Sequence, residues 1–193
     1  MFYFKVGTYN IFILVMDLLP TTVFDSGNGM QTHAWGPLLW TFLHIISFNF
    51  PVRPSVRQRL QYWDFLTRLR HVLPCRHCRQ NMQRNLVDSG LAPQVFDNRE
   101  TFSRFIYRFH NTVNKQLGKP VWDKSYEYLR ANMECLRARC TNNSNKEKTP
   151  KKEKGCTEPV VLGCPVASRI QIIKRPPVAG TCALHFDFVN PLR

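Results

Sequence analysis

Apolar side chains recur at helical spacing through residues 36–140, and no convincing strand pattern interrupts them. A first stripe (Leu39, Trp40, Leu43, His44, Ile46, Ser47) follows Gly36-Pro37, a pair suited to a helix start, and stops at Pro51. A second runs through Leu60, Trp63, Phe65, Leu66 and Leu69 within residues 57–72, closed by Pro74. A third helix is expected to open near Cys75 and run to Asp88-Ser89-Gly90. The fourth starts at Asn98 or Arg99, carries Phe102, Phe105, Ile106, Phe109, Val113 and Leu117, and ends at Gly118 ahead of Lys119-Pro120. A fifth, shorter helix is expected over residues 124–140. The pattern predicts an all-α domain: a four-helix bundle plus a short fifth helix.

The flanks read differently. Residues 1–29 contain the apolar run Ile11 to Met16, far short of the roughly 20 apolar residues a bilayer span needs. They are a weak anchor or signal, or an extension ahead of a natural start at Met30, and no stable membrane span is expected. Residues 141–155 form a charged linker with nothing apolar to bury. In residues 156–193, Arg169–Lys174 and Ala183–Val189 alternate apolar and polar positions around Pro176-Pro177. A lone hairpin is marginal, so this C-terminal extension is expected as disorder or as a small β-hairpin. The expected division is 1–29 extension, 30–140 domain, 141–155 linker and 156–193 Cys-containing tail.

Charge and cysteine content narrow the chemistry. Residues 30–140 carry +10 of the net charge of +14, so the basic character belongs to the domain itself. That favours an anionic cofactor, an acidic partner or nucleic acid. The 14 Phe, 6 Tyr and 4 Trp supply flat apolar surface for a core or a planar ligand. The seven cysteines stand at 75, 78, 135, 140, 156, 164 and 182. Their clustering, with none in 79–134, points to redox or metal chemistry rather than a secreted disulfide scaffold.

Cys75 and Cys78 form a C-x-x-C pair that is ambiguous alone. No strand precedes it, as a thioredoxin-type site requires, and a four-cysteine zinc site would need a less typical second pair, Cys135/Cys140. A C-x-x-C at a helix start places the first thiol at the positive end of the helix dipole, with Arg70, His71, Arg76, His77 and Arg79 nearby. These surroundings favour the thiolate that disulfide exchange uses; a static disulfide or inert buried thiols is the structural alternative.

Two further groups accompany the pair. His110 and Asn114 stand four apart on a helix, with Asn111 one step round and Leu117 near, which suits a planar heterocycle; Lys115 and Lys119 suit its phosphates. Trp40 and His44 have the same spacing, although aromatic residues so placed are often core.

The motifs W-G-P-x-x-W-x-x-x-H (Trp35 to His44), C-x-x-C (Cys75 to Cys78) and H-N-x-V-N-x-x-L-G-K-P (His110 to Pro120), in this order, resemble the Erv/ALR family of FAD-linked sulfhydryl oxidases, most like members encoded by large DNA viruses. The likeness covers about residues 33–131. It implies a homodimeric helical bundle binding FAD between Trp35, Gly36, Pro37, Trp40 and His44 on one side and His110, Asn111, Val113, Asn114, Leu117 and Lys119 on the other. Tyr126 or Tyr128 closes the adenine end. It further implies a redox-active Cys75–Cys78 disulfide: Cys75 accepts electrons from substrate dithiols, and Cys78 hands them to FAD and on to O₂, giving hydrogen peroxide. The implied partner is a thiol-containing substrate protein, such as a redoxin-like carrier, with Cys135/Cys140 as a possible shuttle disulfide, Cys156 and Cys164 as second candidates, and Cys182 left unpaired. The implied compartment is host cytoplasm or virion; the alternatives are the mitochondrial intermembrane space or the secretory pathway, where the Asn142 sequon would matter.

The chain departs from the cellular members at Tyr107 and Lys124, where they often carry a cysteine pair, so packing by Phe109, Trp122 and Tyr126 is expected to hold the last helix instead. The competing reading is a zinc-bearing, basic nucleic-acid-binding module, which would account for the +10 on the domain and the four clustered cysteines but not for His110, Asn111 and Asn114 sharing a helix with an aromatic stripe. A redox scaffold without turnover is a further alternative.

Overall fold

The computed structural model describes residues 22, 25–139, 156, 158–160, 170–172 and 186–188. Five helices follow in order: α1 Thr32–Asn49, α2 Val56–Val72, α3 Arg76–Asp88, α4 Arg99–Gln116 and α5 Tyr126–Cys135. A 3-10 turn, Pro93–Phe96, precedes α4. The expected four-helix bundle with a short fifth helix is therefore observed.

Local chemistry fixes most boundaries. Ser55 and Asn98 open α2 and α4 with reciprocal capping boxes to Gln58 and Thr101. Gly118, at φ +64°, follows α4, and the Lys119 N–H returns to Asn114 O at 2.9 Å. Two boundaries differ from expectation. The first helix begins at Thr32, four residues ahead of Gly36, so Pro37 lies inside it, early enough to cost only one backbone bond. The last helix ends at Cys135, not 140. Leu136 caps it, and the Arg137 guanidinium reaches Glu134 and Phe48 O, the latter at 2.6 Å, turning the chain into β1, Ala138–Arg139.

Helix α1 packs along α4 and α2 along α3, while α5 lies against α1. The main core is aromatic: Phe50, Phe96, Phe102 and Phe105 are fully buried, with Leu43, Leu66, Leu86 and Ile106. Phe50 meets Phe102 edge-on at 5.2 Å between centroids. Leu60, expected in the α2 stripe, is 61% exposed; Leu66 and Leu69 carry that helix's buried contacts. A second cluster of Phe48, Tyr126, Leu129 and Met133, with Tyr107 and Trp122 against it, fastens α5; Phe109 lies in the main core. At Tyr107 and Lys124, where the resemblance implied that a cysteine pair is missing, the Tyr107 hydroxyl donates to Lys124 O at 2.9 Å.

In the extension, β1 pairs antiparallel with β2, Glu158–Pro159, and β3, Ile170–Ile172, pairs antiparallel with β4, Phe186–Phe188. The second ladder joins the two segments in which apolar and polar positions alternate; residues 173–185 between them lie outside the described residues. The linker 141–155 lies outside the described residues. No helix among the described residues is long and apolar enough to cross a membrane.

Candidate active site

Cys75 and Cys78 are free thiols at the start of α3. Cys75 is the N-cap, with extended backbone (φ −149°, ψ 124°), and its Sγ accepts the Cys78 N–H at 3.2 Å. The sulfur thus occupies the place a serine or aspartate oxygen takes at other helix starts. Cys78 packs against the main core together with Trp35, Leu39 and Trp40. Burial, then the hydrogen bond and charge of Cys75, push the Cys78 thiol up to about 12, with the Arg79 guanidinium pulling the other way.

The cationic side chains near the pair are individually placed. Arg70 binds His71 Nε2 and Gln83 Oε1. Arg76 and His77 face solvent. Arg79 donates to Leu73 O at 2.7 Å and to Gly27 O at 3.1 Å. An open apolar groove of about 350 Å³ runs beside the dithiol, lined by Trp35, Leu39, Phe42, Val72, Leu73 and Pro74.

The two helices expected to face each other do so. Trp40 on α1 stacks on His110 of α4, with centroids 4.1 Å apart and planes 7° from parallel. His44 Nε2 lies 3.1 Å from His110 Nδ1. Burial and then His110 lower the His44 pKa to about 3, while burial and then the Lys119 charge lower that of His110 to about 4. Both rings are therefore neutral near pH 7 and share one proton across the contact. Whichever ring donates, His44 Nδ1 remains buried without a partner among the described residues, an orphan that calls for a ligand atom or a water.

The remaining expected residues fall around this contact. Gly36 is half-buried, Pro37 is exposed on α1, and Asn111, Val113 and Asn114 are half-buried on α4. Asn111 Oδ1 accepts the Trp122 N–H at 3.0 Å, and the Trp122 ring stands 6.4 Å from that of His44. Leu117 and Lys119 are exposed beyond the helix end. Tyr126 is 5% exposed, and its hydroxyl is taken by Ser103 Oγ at 2.6 Å; Tyr128 is 40% exposed. Cys135 and Cys156 are each disulfide-bonded; Cys140, Cys164 and Cys182 lie outside the described residues. A larger cavity of about 410 Å³, lined by Phe48, Arg99, Tyr126 and Arg130 among others, opens at the N-terminal end of α4, opposite His110 and Asn114, and we give it no part in the dithiol chemistry.

The sequence reading passed over Gly29 and missed the contacts of two residues it did name, Trp122 and Arg79, the latter read only as a cation near the dithiol. Trp122 was expected only to pack, and nothing in its spacing ties it to His44. Gly29 and Arg79 bind the dithiol loop to the chain ahead of α1. The Gly27-Asn28-Gly29 turn signal was visible, but it falls in what reads as an extension. Among the described residues no three His, Cys, Asp or Glu side chains gather as a metal site would require.

The model of the Erv1/Alr family matches residues 37–134, which span α1 to α5 and the dithiol, and the chain belongs to that family. It is 34% identical over 92 residues to a probable FAD-linked sulfhydryl oxidase of Acanthamoeba polyphaga mimivirus, covering 48% of this chain and 64% of the relative. It is 36% identical over 99 residues to the mitochondrial FAD-linked sulfhydryl oxidase erv1 of Schizosaccharomyces pombe, covering 49% and 54%. An African swine fever virus FAD-linked sulfhydryl oxidase is 30% identical over 87 residues, covering 45% of this chain and 71% of the relative. The chain spans little more than half the length of the first two relatives. Among solved structures, the yeast Erv1 core is similar at a TM-score of 0.48 and 29% identity, over 54% of this chain and 84% of that one.

Proposed function

We propose that the chain is an FAD-dependent thiol oxidase that forms disulfides in substrate proteins. One observation carries this reading: a free dithiol and a Trp–His site adjoin a single packed core, and that site contains a buried histidine nitrogen with no partner among the described residues. The residues fit a flavin. Trp40 offers a flat face, His44 Nδ1 and the Asn114 amide offer polar edges, and Lys119 offers charge for a diphosphate. Trp35, Gly36 and Pro37 extend the α1 side; His110, Asn111, Val113 and Leu117 extend the other, with Tyr128 toward the adenine end. FAD, when bound, supplies the two-electron acceptor and the route to O₂, with hydrogen peroxide as product.

The side chains do the rest. A substrate thiolate attacks Cys75 Sγ of the Cys75–Cys78 disulfide; a new S–S bond forms, the old one breaks, and its electron pair stays on Cys78 Sγ. Both sulfurs are half-buried, but of the two it is Cys78 that packs against the main core, which suits it to the inner role and Cys75 to the substrate. The second substrate thiolate then attacks the mixed disulfide and leaves as oxidised product, with Cys75 as the departing sulfur.

The basic domain suits an acidic substrate protein, such as a redoxin-like carrier. Leu38, Phe42 and Ile45 form an exposed apolar stripe on α1, 45%, 49% and 43% exposed, which suits a homodimer. We assign the host cytoplasm or the virion as the compartment. The test is a visible spectrum of the purified chain before and after anaerobic addition of a dithiol. A flavin band near 450 nm that bleaches is expected; a well-folded, colourless chain that cannot be loaded with FAD overturns the proposal.

A further inference from the structure

The chain just ahead of α1 crosses the dithiol loop as a short strap. The Met30 N–H donates to Pro74 O at 2.6 Å and the Arg76 N–H to Asn28 O at 2.9 Å, which brackets an antiparallel bridge between Gly29 and Cys75. In this bonding pattern the two bridged residues are the pair without mutual hydrogen bonds, whose α-carbons and side chains come closest. Gly29 has φ +91°, and a Cβ there would stand 2.5 Å from Pro74 O and 3.2 Å from Cys75 Cα. Conformation and space both demand glycine. The Arg79 guanidinium then fastens the strap, holding Gly27 O on one side and Leu73 O on the other. A planar fork can hold two carbonyls in this way; a lysine ammonium is poorly shaped for it.

We infer that residues 27–30 are a wall of the active site, with Gly29 and Arg79 as positioning residues for exchange at Cys75. The strap bonds the two residues that flank Cys75, Pro74 and Arg76, and the residue that follows Cys78. It therefore holds the Cys75 backbone extended at the start of α3. Any other residue at 29 would put a side chain directly beside that of Cys75; glycine leaves the approach to its sulfur clear.

This inference rests on the thiol-oxidase reading. In the exchange step the incoming sulfur, Cys75 Sγ and the departing Cys78 Sγ must line up as one bond forms and the other breaks. A small rotation of the Cys75 backbone therefore slows the step out of proportion to its size.

The experiment uses the full chain with its cysteine pair oxidised. Dithiothreitol opens the pair, acid stops the reaction, and alkylation of Cys75 and Cys78 is followed by peptide mass spectrometry. Gly29→Ala and Arg79→Met are each expected to slow opening about ten-fold at unchanged FAD content and helix content. Their double variant should be no slower than the slower single, since both release the same strap, and Arg79→Lys should recover only a minor part of the rate. Unaltered rates in both singles, or full recovery with lysine, overturn the inference. Should either variant fold poorly, hydrogen exchange in the unaltered chain decides: the Met30 and Arg76 amides are expected to be protected, and exchange at unstructured rates sinks the strap. A pair that cannot be oxidised in the unaltered chain removes the thiol-oxidase reading and this inference with it, whereas normal opening with unaffected variants removes the strap alone.

Discussion

His44 Nε2 and His110 Nδ1 face each other at 3.1 Å across the α1–α4 contact, so one proton serves two rings. Their folded pKa values, about 3 and about 4, lie below the unfolded value of 6.5. Between pH 6.5 and 4 the unfolded chain therefore binds more protons than the folded one. Stability contributed by neutral histidines is complete above pH 6.5 and is lost as the pH falls through that window, by up to about 1.4 kcal/mol per pH unit for each ring. Urea unfolding midpoints measured from pH 7.5 to 4 should fall accordingly, and more steeply than in His110→Asn.

Serine at either member of the dithiol separates chemistry from cofactor binding. Cys75→Ser and Cys78→Ser are each expected to retain bound flavin but to lose dithiothreitol-driven oxygen consumption to background. Turnover persisting in Cys78→Ser would exclude Cys78 from the electron route.

The segment ahead of α5 hangs on Asn111 and Tyr107, which bond Trp122 N–H and Lys124 O. Asn111→Ala should cost about 1–3 kcal/mol by orphaning a backbone donor and lower flavin occupancy at fixed FAD. Calorimetry and the ratio of visible to protein absorbance check the two effects.

Phe102 is fully buried and touches the rings of Phe50, Tyr62 and Phe96. Phe102→Ala is expected to destabilise by about 3–5 kcal/mol, read from denaturant midpoints. A smaller change at Leu60→Ala, which is exposed in the monomer, would separate core from surface.

If the α1 stripe joins two copies, Phe42→Asp should give a monomer in sedimentation equilibrium with its flavin band intact. A dimer that survives the charge moves the interface elsewhere.

Much of the fold was legible because its signals are local. Phe102, Phe105, Ile106 and Phe109 mark a buried helical face, and Gly118 marks where α4 stops. The early start of α1 was not, because Pro37 reads as a first-turn proline and nothing in the sequence reveals the helical turn ahead of it. The premature end of α5 depends on Arg137 reaching Phe48 O across 89 residues of chain, a contact no window of sequence contains. In the site, His44 and His110 could be chosen from spacing, but their direct contact could not. Tyr126 illustrates the converse: the residue looked suited to a ligand edge, yet the core took its hydroxyl through Ser103. Gly29 drew no reading for a simpler reason, since its partner Cys75 lies 46 positions away and backbone pairing over that distance leaves no periodic trace.

The hydrogen bond from Tyr107 to Lys124 O has a cellular consequence. Cys75 and Cys78 are the only cysteines from Asp25 through Glu134, and Cys135, the last residue of α5, is disulfide-bonded, so α1 to α4 are joined to one another by packing and hydrogen bonds. A reductant can therefore open the Cys75–Cys78 pair without breaking a covalent link among those four helices. Reducing surroundings that would dismantle a bundle stapled by disulfides leave α1 to α4 assembled.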